Sequence, residues 1–260
     1  MAQTQALDIE RKGKILVVTI NRPQARNAVD SATARMLAEA FGAFDGDQSL
    51  HAAVLTGAES TFCAGADLRE IATGQRPLVE DSGTGPMGPT WLILSKPVIA
   101  AIEGYAVAGG LELALWCDLR VAARDATFGV FNRRWGVPLI DLGTVRLPRM
   151  IGQGRALDLV LTGRAVGAEE ALSIGLVSRV VEKGQALAAA LEVGNMLAEF
   201  PQGGLRADRM SLYEQWGMSW EQARSNEMRH GLKVVQSGES VSGAVRFAAG
   251  AGRHGRFGRD

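Results

Sequence analysis

Two loops built from small residues place the strongest constraint on the fold of this chain. The first lies in STFCAGADLRE, residues 60–70, and the second lies in GYAVAGGLELALWCD, residues 104–118. Glycine and alanine carry almost no side chain, so such a loop either turns tightly or lets its backbone N–H groups approach another group closely. Each loop leads into an apolar stretch and carries one acid, Asp67 in the first and Glu112 in the second. Two such loops can direct two N–H groups toward one oxygen.

The segments around these loops alternate between strand and helix signals. Short β-branched or apolar runs predict strands at ILVVTI, AAVLTG, VIAAIEG, LRVAA and ATFGV. DSATARMLAEAFGAF has apolar residues at helical spacing, with Asp30 as a candidate N-cap, and LELALWCD is predicted to be a buried helix. The alternation continues to about Val181 and favours an α/β domain.

Beyond Val181 the pattern is almost entirely helical. We therefore predict an α/β core over residues 1–183 and a helical region over residues 184–260, with a frayed C-terminal end. Apolar side chains between Met210 and Trp220 exceed what a thin helical tail can bury by itself. Two interpretations stay open, because the tail could pack on its own α/β body or form an interface between subunits.

Charge and cysteine content limit the partners and the compartment. The chain has 28 basic and 28 acidic residues, so its zero net charge gives no electrostatic reason to expect nucleic acid or an anionic membrane. No apolar run approaches the ~20 residues of a membrane helix, and the N-terminus lacks a signal-peptide pattern. Cys63 and Cys117 form no disulfide framework or metal-ligand spacing. We expect a cytoplasmic protein without membrane or nucleic-acid partners.

Several common catalytic motifs are absent or incomplete. None of the three histidines lies in a loop with catalytic character, which argues against a histidine-based triad or metal site. GTGPMG, residues 83–88, matches a dinucleotide fingerprint by letter, but no strand precedes it and Pro86 lies inside it, so we interpret it as a mobile loop. Cys63 has no histidine nearby in sequence, and we interpret it as a buried filler rather than a nucleophile.

Glu112 is the acid whose position calls for an explanation. A carboxylate at the start of a mostly apolar helix must be paired, protonated or used in chemistry. Burial raises the pKa of a carboxyl group, which suits a proton-transferring glutamate near neutral pH. The alternative is a structural glutamate that pairs with an arginine or binds N–H groups of its own helix. Asp67 precedes LREI, where an N-cap carboxylate is expected.

Four segments together resemble the enoyl-CoA hydratase/isomerase family, also called the crotonase family: NRPQARNA, FCAGADL, KPVIAAIEGYAVAGGLELALWCDLRVAARDATFG and GTVRLPRMIG. The matching segments run from about Leu16 to Val181. The resemblance implies an α/β fold, a spiral of β-β-α turns followed by a C-terminal helical region that builds trimers, often paired into hexamers. It also implies an acyl-CoA thioester as substrate, with coenzyme A as part of the substrate and no separate cofactor or metal.

The resemblance assigns roles to residues in both loops. One N–H from each loop, on Ala66 and Gly109, would point at the thioester oxygen and stabilise the enolate that forms during the reaction. Glu112 matches the first of two glutamates that handle water and protons in the hydratases. It would orient or deprotonate the water that attacks the β-carbon.

The second glutamate of the hydratases is missing from this chain. It would follow the strand as F-G-x-P-E, whereas FGVFNRRWGVP places Asn132 at that position, and asparagine cannot exchange a proton at neutral pH. Asp141 matches a position where some relatives carry a working aspartate. The alternative for Asp141 is a cap on a helix that starts near Leu142.

Substrate contacts follow from the same resemblance. Arg22 and Arg26 are candidates for the CoA phosphates, although exposed arginines in a polar turn are an equally good interpretation. Residues 69–91 and Phe131–Pro138 would shape the acyl pocket, and Arg133, Arg134 and Trp135 suggest a substrate other than a plain fatty chain. The full set of implied contacts is Arg26, Cys63, Ala64, Gly65, Asp67, Leu68, Gly110, Asn132 and Trp135.

Hydration of a 2-enoyl-CoA is the leading functional prediction. An isomerase, or another outcome of the same enolate such as hydrolysis or decarboxylation through Asp141, is the alternative within the fold. A crotonase-like protein that has lost catalysis and serves as a binding subunit is the alternative from another class. The intact set of Ala66, Gly109 and Glu112 argues against that last reading.

Overall fold

The computed structural model describes residues 5–74 and 83–252 of the chain. The chain divides into two compact units, Met1–Leu197 and Ala198–Asp260. The helical region that the sequence predicts from residue 184 begins with a helix, Ala186–Glu199, that continues from the first unit into the second. The predicted frayed end and part of the predicted acyl-pocket segment, residues 75–82, lie outside the described residues.

Strands and helices alternate through the first unit. The strands are β1 (Leu7–Lys12), β2 (Ile15–Ile20), β3 (Ala52–Gly57), β4 (Val98–Ile102), β5 (Tyr105–Val107), β6 (Leu119–Ala123), β7 (Thr127–Gly129), β8 (Val166–Gly167) and β9 (Arg179–Val181). The helices are α1 (Ser31–Gly46), α2 (Leu68–Ala72), α3 (Gly109–Trp116), α4 (Gly143–Ile151), α5 (Gln153–Thr162), α6 (Ala168–Ser173), α7 (Ala186–Glu199), α8 (Gln202–Glu214), α9 (Trp220–Gln236) and α10 (Glu239–Ala248). All five strands predicted from sequence are confirmed.

The strands form two sheets that the chain visits in turn. The larger sheet has the order β1-β2-β3-β4-β6-β9, with β1 and β2 antiparallel and the other neighbours parallel. The smaller sheet has the order β5-β7-β8. β4 and β6 lie in the larger sheet, and each is followed by a strand of the smaller sheet and then a helix. These are the β-β-α turns of the predicted spiral.

Burial explains why these short apolar runs are strands. β3 and β4 are buried along almost their whole length, as parallel strands covered on both faces are. α1 begins where predicted, because the Asp30 side chain accepts a hydrogen bond from the Thr33 N–H at 2.8 Å. Every residue of α3 is buried, including Glu112, as its all-round apolar sequence predicts.

The end of the segment 83–88 is packed, which argues against its interpretation as a mobile loop. Met87 is only 1% exposed and belongs to the core, and the Met87 N–H donates a hydrogen bond to Asp141 at 2.9 Å. The residues directly before this segment, 75–82, lie outside the described residues, so the rejection of a dinucleotide fingerprint stays a prediction.

The second unit contains α8, α9 and α10. A capping box formed by Ser219 and Gln222 starts α9, and Glu239 accepts hydrogen bonds from the first N–H groups of α8. Its exposed large apolar side chains include Phe200, Leu212, Trp216, Met218, Trp220, Met228, Leu232, Val235, Val241, Val245 and Phe247. Trp220 alone is 83% exposed. Within the described ranges, no helix is both long and apolar enough to cross a membrane.

Candidate active site

A cavity of about 650 Å³ lies between the two small-residue loops. It is lined by Arg26, Ala64, Ala66, Leu68, Ile71, Pro86, Met87, Val107, Ala108, Gly109, Glu112, Phe131, Asn132, Trp135, Gly136, Val137, Pro138, Ile140 and Asp141. Most of these residues are apolar. The acids Glu112 and Asp141 are therefore two charged or chargeable groups in a largely apolar wall, where hydrogen bonds and charges act strongly.

Two backbone N–H groups of this wall, those of Ala66 and Gly109, are available to a ligand. Gly109 opens α3, and the first N–H groups of a helix have no acceptor within the helix. Within residues 5–74 and 83–252, neither the Ala66 nor the Gly109 N–H donates to a protein acceptor. Both residues line the same cavity. The two loops thus supply the pair of donors that an oxyanion hole requires.

The loops can meet only because their glycines lack side chains. A Cβ on Gly65 would lie 2.9 Å from the Gly109 nitrogen, and a Cβ on Gly110 would lie 2.1 Å from the Cys63 carbonyl oxygen. Hydrogen bonds also join the loops, since the Cys63 N–H donates to Tyr105 and the Val107 N–H donates to Cys63. Cys63, Gly65 and Gly110 therefore fix the spacing between the two donors.

Ala108, directly before Gly109, holds a rare backbone conformation. Its φ of 53° and ψ of −127° are strained for a residue with a side chain. The Ala108 N–H donates to Gly129 at 2.9 Å, and its carbonyl accepts from the N–H groups of Leu111 and Glu112. These hydrogen bonds stabilise the turn that orients the Gly109 N–H at the cavity wall.

Within the described ranges, Glu112 is bound by the chain around Asp141 and not by its own helix or an arginine. Its Oε1 accepts hydrogen bonds from the Asp141 N–H at 2.9 Å and the Gly143 N–H at 2.8 Å. Burial, and then the charge of Asp141, raises the pKa of Glu112 to about 8. This shift favours the protonated form of Glu112 at neutral pH. Oε1 accepts both hydrogen bonds and Oε2 accepts neither, so Oε2 is the oxygen suited to carry the proton.

Asp141 does not cap a helix, so that alternative is wrong. α4 starts at Gly143, its N-cap Leu142 has a left-handed φ of 66°, and no side chain caps it. Asp141 Oδ1 instead accepts hydrogen bonds from the Met87 N–H and the Thr90 hydroxyl. The carboxyl group is buried beside Glu112 in the cavity wall.

Comparisons with known proteins agree with this geometry. A profile of the enoyl-CoA hydratase/isomerase family matches residues 10–249. The chain belongs to the enoyl-CoA hydratase/isomerase, or crotonase, family. Enoyl-CoA hydratase EchA19 of Mycobacterium tuberculosis is 37% identical over 247 residues, covering 92% of each chain. Carnitinyl-CoA dehydratase of Escherichia coli K12 is 36% identical over 254 residues, covering 94% of this chain and 96% of that one.

A solved structure gives the same result for the fold. The crystal structure of enoyl-CoA hydratase EchA1 from Mycobacterium marinum matches with a TM-score of 0.89 at 37% identity, covering 94% of this chain and 96% of that chain. The predicted crotonase spiral is confirmed, and this crotonase-family chain is an enzyme of the hydratase/lyase type.

Asn132 of this crotonase lies in the cavity wall, where the sequence places it. It is 5% exposed, and its Nδ2 donates to the Val137 carbonyl at 2.7 Å. Its Oδ1 has no hydrogen-bond partner among the described residues. The side chain holds the segment after β7 and supplies no titratable group.

The other implied substrate contacts divide into two groups. Arg26, Ala64, Leu68 and Trp135 line the cavity, and Trp135 is 68% exposed. Cys63, Gly65, Asp67 and Gly110 do not line it.

Asp67, at the end of the first loop, forms an ion pair with Arg22. Asp67 caps α2 by accepting from the Arg69 N–H at 3.0 Å. Arg22 Nη2 lies 2.9 Å from Asp67 and 2.8 Å from Asp30. Arg22 is therefore engaged by two carboxylates, and its interpretation as a phosphate ligand is not supported.

The two arginines after β7 also bind the scaffold. Arg133 donates to the Val160 carbonyl at 3.1 Å, and Arg134 donates to the Gly163 carbonyl at 3.3 Å. The Arg134 guanidinium also stacks 4.3 Å from the centre of the Phe131 ring. They therefore give no indication of an unusual acyl group, because their guanidinium groups fix the segment to α5.

Sequence reasoning missed the residues that organise the acids. Met87 and Thr90 contact Asp141, and Arg146 donates to the carbonyls of Asp141 and Thr90 at 3.0 and 2.6 Å. No local pattern marks these residues. The nearest signal was the glycine-rich segment that ends just before Thr90. Across residues 5–74 and 83–252, no group of three or more His, Cys, Asp or Glu side chains is arranged to hold a metal ion.

Proposed function

We propose that this enzyme adds water reversibly to a 2-enoyl-CoA thioester. The observation that carries the proposal is the meeting of four groups in one cavity: the N–H groups of Ala66 and Gly109, and the side chains of Glu112 and Asp141. The N–H pair suits a thioester oxygen that gains negative charge. The two acids suit a reaction that removes one proton and delivers another.

The proposed step balances within these groups. The water oxygen bonds to the β-carbon while its proton passes to the Asp141 carboxylate, and the π electrons of the double bond move toward the thioester oxygen. Ala66 and Gly109 stabilise the resulting enolate, and one such donor is worth ~3 to 4 kcal/mol. Glu112 Oε2 then delivers its proton to the α-carbon, which leaves Asp141 protonated and Glu112 ionised. Transfer of the proton from Asp141 to Glu112 restores the starting state. The protonated state of Glu112 at neutral pH supports this order.

This assignment gives Glu112 a different role from the one implied by the family resemblance. The resemblance implies that Glu112 orients or deprotonates the water. A glutamate that is neutral before the reaction starts is a better proton donor than acceptor. Asp141 would then take the part of the missing second glutamate.

The relatives do not distinguish hydration from dehydration, whereas the cavity lining favours one kind of acyl group. Relatives named hydratase and dehydratase are 37% and 36% identical to this chain, so identity does not favour one direction. The apolar residues around Trp135 and Ile140 favour an apolar acyl group. Arg26, which is exposed at the cavity, is the proposed contact for a CoA phosphate.

Double-bond isomerisation is the second candidate, and Asn132 is the observation that favours it. A chain without the second glutamate can still move one proton between the α- and γ-carbons through an acid such as Asp141. A panel of acyl-CoA thioesters, followed by mass spectrometry, separates the two. Hydration adds the mass of one water, whereas isomerisation leaves the mass unchanged. Turnover of no thioester in the panel would contradict both.

The exposed apolar side chains of the second unit support assembly into a trimer or a dimer of trimers. Eleven large apolar side chains between Phe200 and Phe247 are exposed, and monomeric proteins rarely expose so many together. Sedimentation at micromolar concentration tests this, and a monomer would contradict it. Trp220→Lys would weaken the assembly, whereas Ile93→Lys, at an exposed apolar position in the first unit, serves as the matched control.

We propose that the enzyme works in the cytoplasm without a metal or added cofactor. The buried free thiols of Cys63 and Cys117 support a reducing, cytoplasmic location, which fractionation of the native host tests. We also propose that turnover needs no metal or added cofactor. Incubation with a chelator should leave the rate unchanged, and loss of rate that added metal restores would contradict this.

A further inference from the structure

Thr90 is a buried residue that touches an acid of the site without touching the cavity. Its exposure is 0%, and it is not part of the cavity lining. Its hydroxyl donates a hydrogen bond to Asp141 Oδ1, the same oxygen that accepts from the Met87 N–H at 2.9 Å. Two donors on one carboxylate oxygen stabilise the charged form of Asp141.

A second set of contacts joins the main chains of the same residues. Arg146 Nη1 donates to the Asp141 carbonyl at 3.0 Å, and Nη2 donates to the Thr90 carbonyl at 2.6 Å. Arg146 lies on α4, so the helix that follows Asp141 is tied to the segment that carries Thr90. The position of the Asp141 carboxylate is therefore set by groups distant in sequence.

Asp141 in turn acts on Glu112. The Asp141 N–H binds Glu112 Oε1 at 2.9 Å, and the charge of Asp141 raises the pKa of Glu112 while that of Arg146 lowers it. Among the described residues, Asp141 and Arg146 are the charged groups with a marked effect on Glu112. A contact that orients and stabilises the Asp141 carboxylate thus reaches both acids.

We propose that Thr90 is a positioning residue, whose hydroxyl holds the Asp141 carboxylate in place beside Glu112 for proton transfer. The inference rests on the proposed function of the two acids. The competing account is purely structural: Thr90 ties its segment to Asp141 and has no effect on the chemistry.

Three variants separate these accounts. Thr90→Val keeps the volume and removes the hydroxyl, Thr90→Ser keeps the hydroxyl, and Thr90→Val combined with Asp141→Asn tests whether Thr90 acts through Asp141. A hydrogen bond to a charged group contributes roughly ten- to a hundredfold in such comparisons. We expect Thr90→Val to lower kcat by roughly tenfold or more with little change in KM. Thr90→Ser should recover most of the rate, and Thr90→Val should have no further effect in the Asp141→Asn background.

A readout that does not need turnover accompanies the kinetics. Glutamate labelled with ¹³C at the side-chain carboxyl allows the pKa of Glu112 to be followed by NMR, with the signal assigned by its loss in Glu112→Gln. Without the Thr90 hydroxyl, the Asp141 carboxylate is less stabilised and holds a proton more readily. The negative charge beside Glu112 is then reduced, so we expect the pKa of Glu112 to fall from about 8 in Thr90→Val. If Thr90→Val does not fold, Thr90→Ala removes the same hydroxyl with less crowding.

The outcomes are distinct. An unchanged Glu112 pKa in Thr90→Val, or an equal loss of rate in the wild-type and Asp141→Asn backgrounds, would overturn the positioning role. Equal destabilisation by Thr90→Val and Thr90→Ser, with the Glu112 pKa unchanged, would mark Thr90 as structural only. If no acyl-CoA is turned over, the proposed function fails, and the NMR titration still decides whether Thr90 controls the acid pair.

Discussion

The backbone N–H of Asp141 donates a hydrogen bond to Glu112 Oε1 at 2.9 Å. The Glu112 side chain is thus bound by the backbone of the second acid, although the two residues lie on different turns of the spiral. Burial, and then the charge of Asp141, raises the pKa of Glu112 to about 8 and favours its protonated form. In the proposed mechanism, this neighbourhood makes Glu112 the proton donor and Asp141 the acceptor.

Glu112 makes stability depend on pH in an unusual direction. Its carboxyl ionises near 4.5 in the unfolded chain, but the pKa of about 8 keeps it protonated in the folded protein over most of the interval between. The folded state binds more protons in that window, so this group's contribution to stability falls as pH rises from about 4.5 to 8. Glu112→Gln should therefore gain a few kcal/mol in unfolding free energy relative to wild type across this window. Urea unfolding at several pH values measures this, and a constant difference would contradict it.

Ala66→Pro should strongly lower turnover because it deletes one of the two N–H donors. We expect a loss of roughly 10²- to 10³-fold in kcat. Ala66→Ser is the matched control, since it keeps the N–H with a small side chain. Steady-state kinetics and circular dichroism on both variants give the answer. Near-native turnover by a normally folded Ala66→Pro chain would refute the two-donor oxyanion hole.

Gly109→Val should abolish turnover by crowding. A Cβ on Gly109 would lie 2.8 Å from the Met87 sulfur, so a branched side chain would displace Met87 and fill the space beside the oxyanion. Gly109→Ala should lose less activity, and adding Met87→Ala should restore part of it because that change makes room for the Cβ. If Gly109→Val binds and turns over acyl-CoA at the wild-type rate, the oxyanion does not lie beside Gly109.

Local features of the fold were predictable from sequence, because they depend on neighbouring residues. The five strands and the start of α1 follow from runs of apolar residues and from Asp30 as an N-cap, all of which act within a few residues. The resemblance of four segments to the crotonase family predicted both the spiral and the family membership, and the comparisons confirm both. Burial of Glu112 followed from the apolar helix around it.

The organisation of the acids was not predictable, because it depends on contacts between distant segments. Thr90 and Asp141 are 51 residues apart in sequence, and Glu112 and Asp141 are 29 apart. The segment 83–88 has the composition of a loop, yet packing against α3 buries Met87. Asp141 has the chemistry of a cap, but the left-handed turn at Leu142 directs it elsewhere.

The rate of Asp141→Asn tests the central claim, that Glu112 and Asp141 share the proton transfers, most directly. Asparagine keeps an oxygen that can accept hydrogen bonds from Met87 and Thr90, so the fold should hold and the melting temperature should change little. It cannot exchange a proton, so the rate of water addition to the best thioester should fall roughly 10²-fold or more while acyl-CoA still binds. Wild-type rates in Asp141→Asn would contradict the account and leave Glu112 as the acid that works alone.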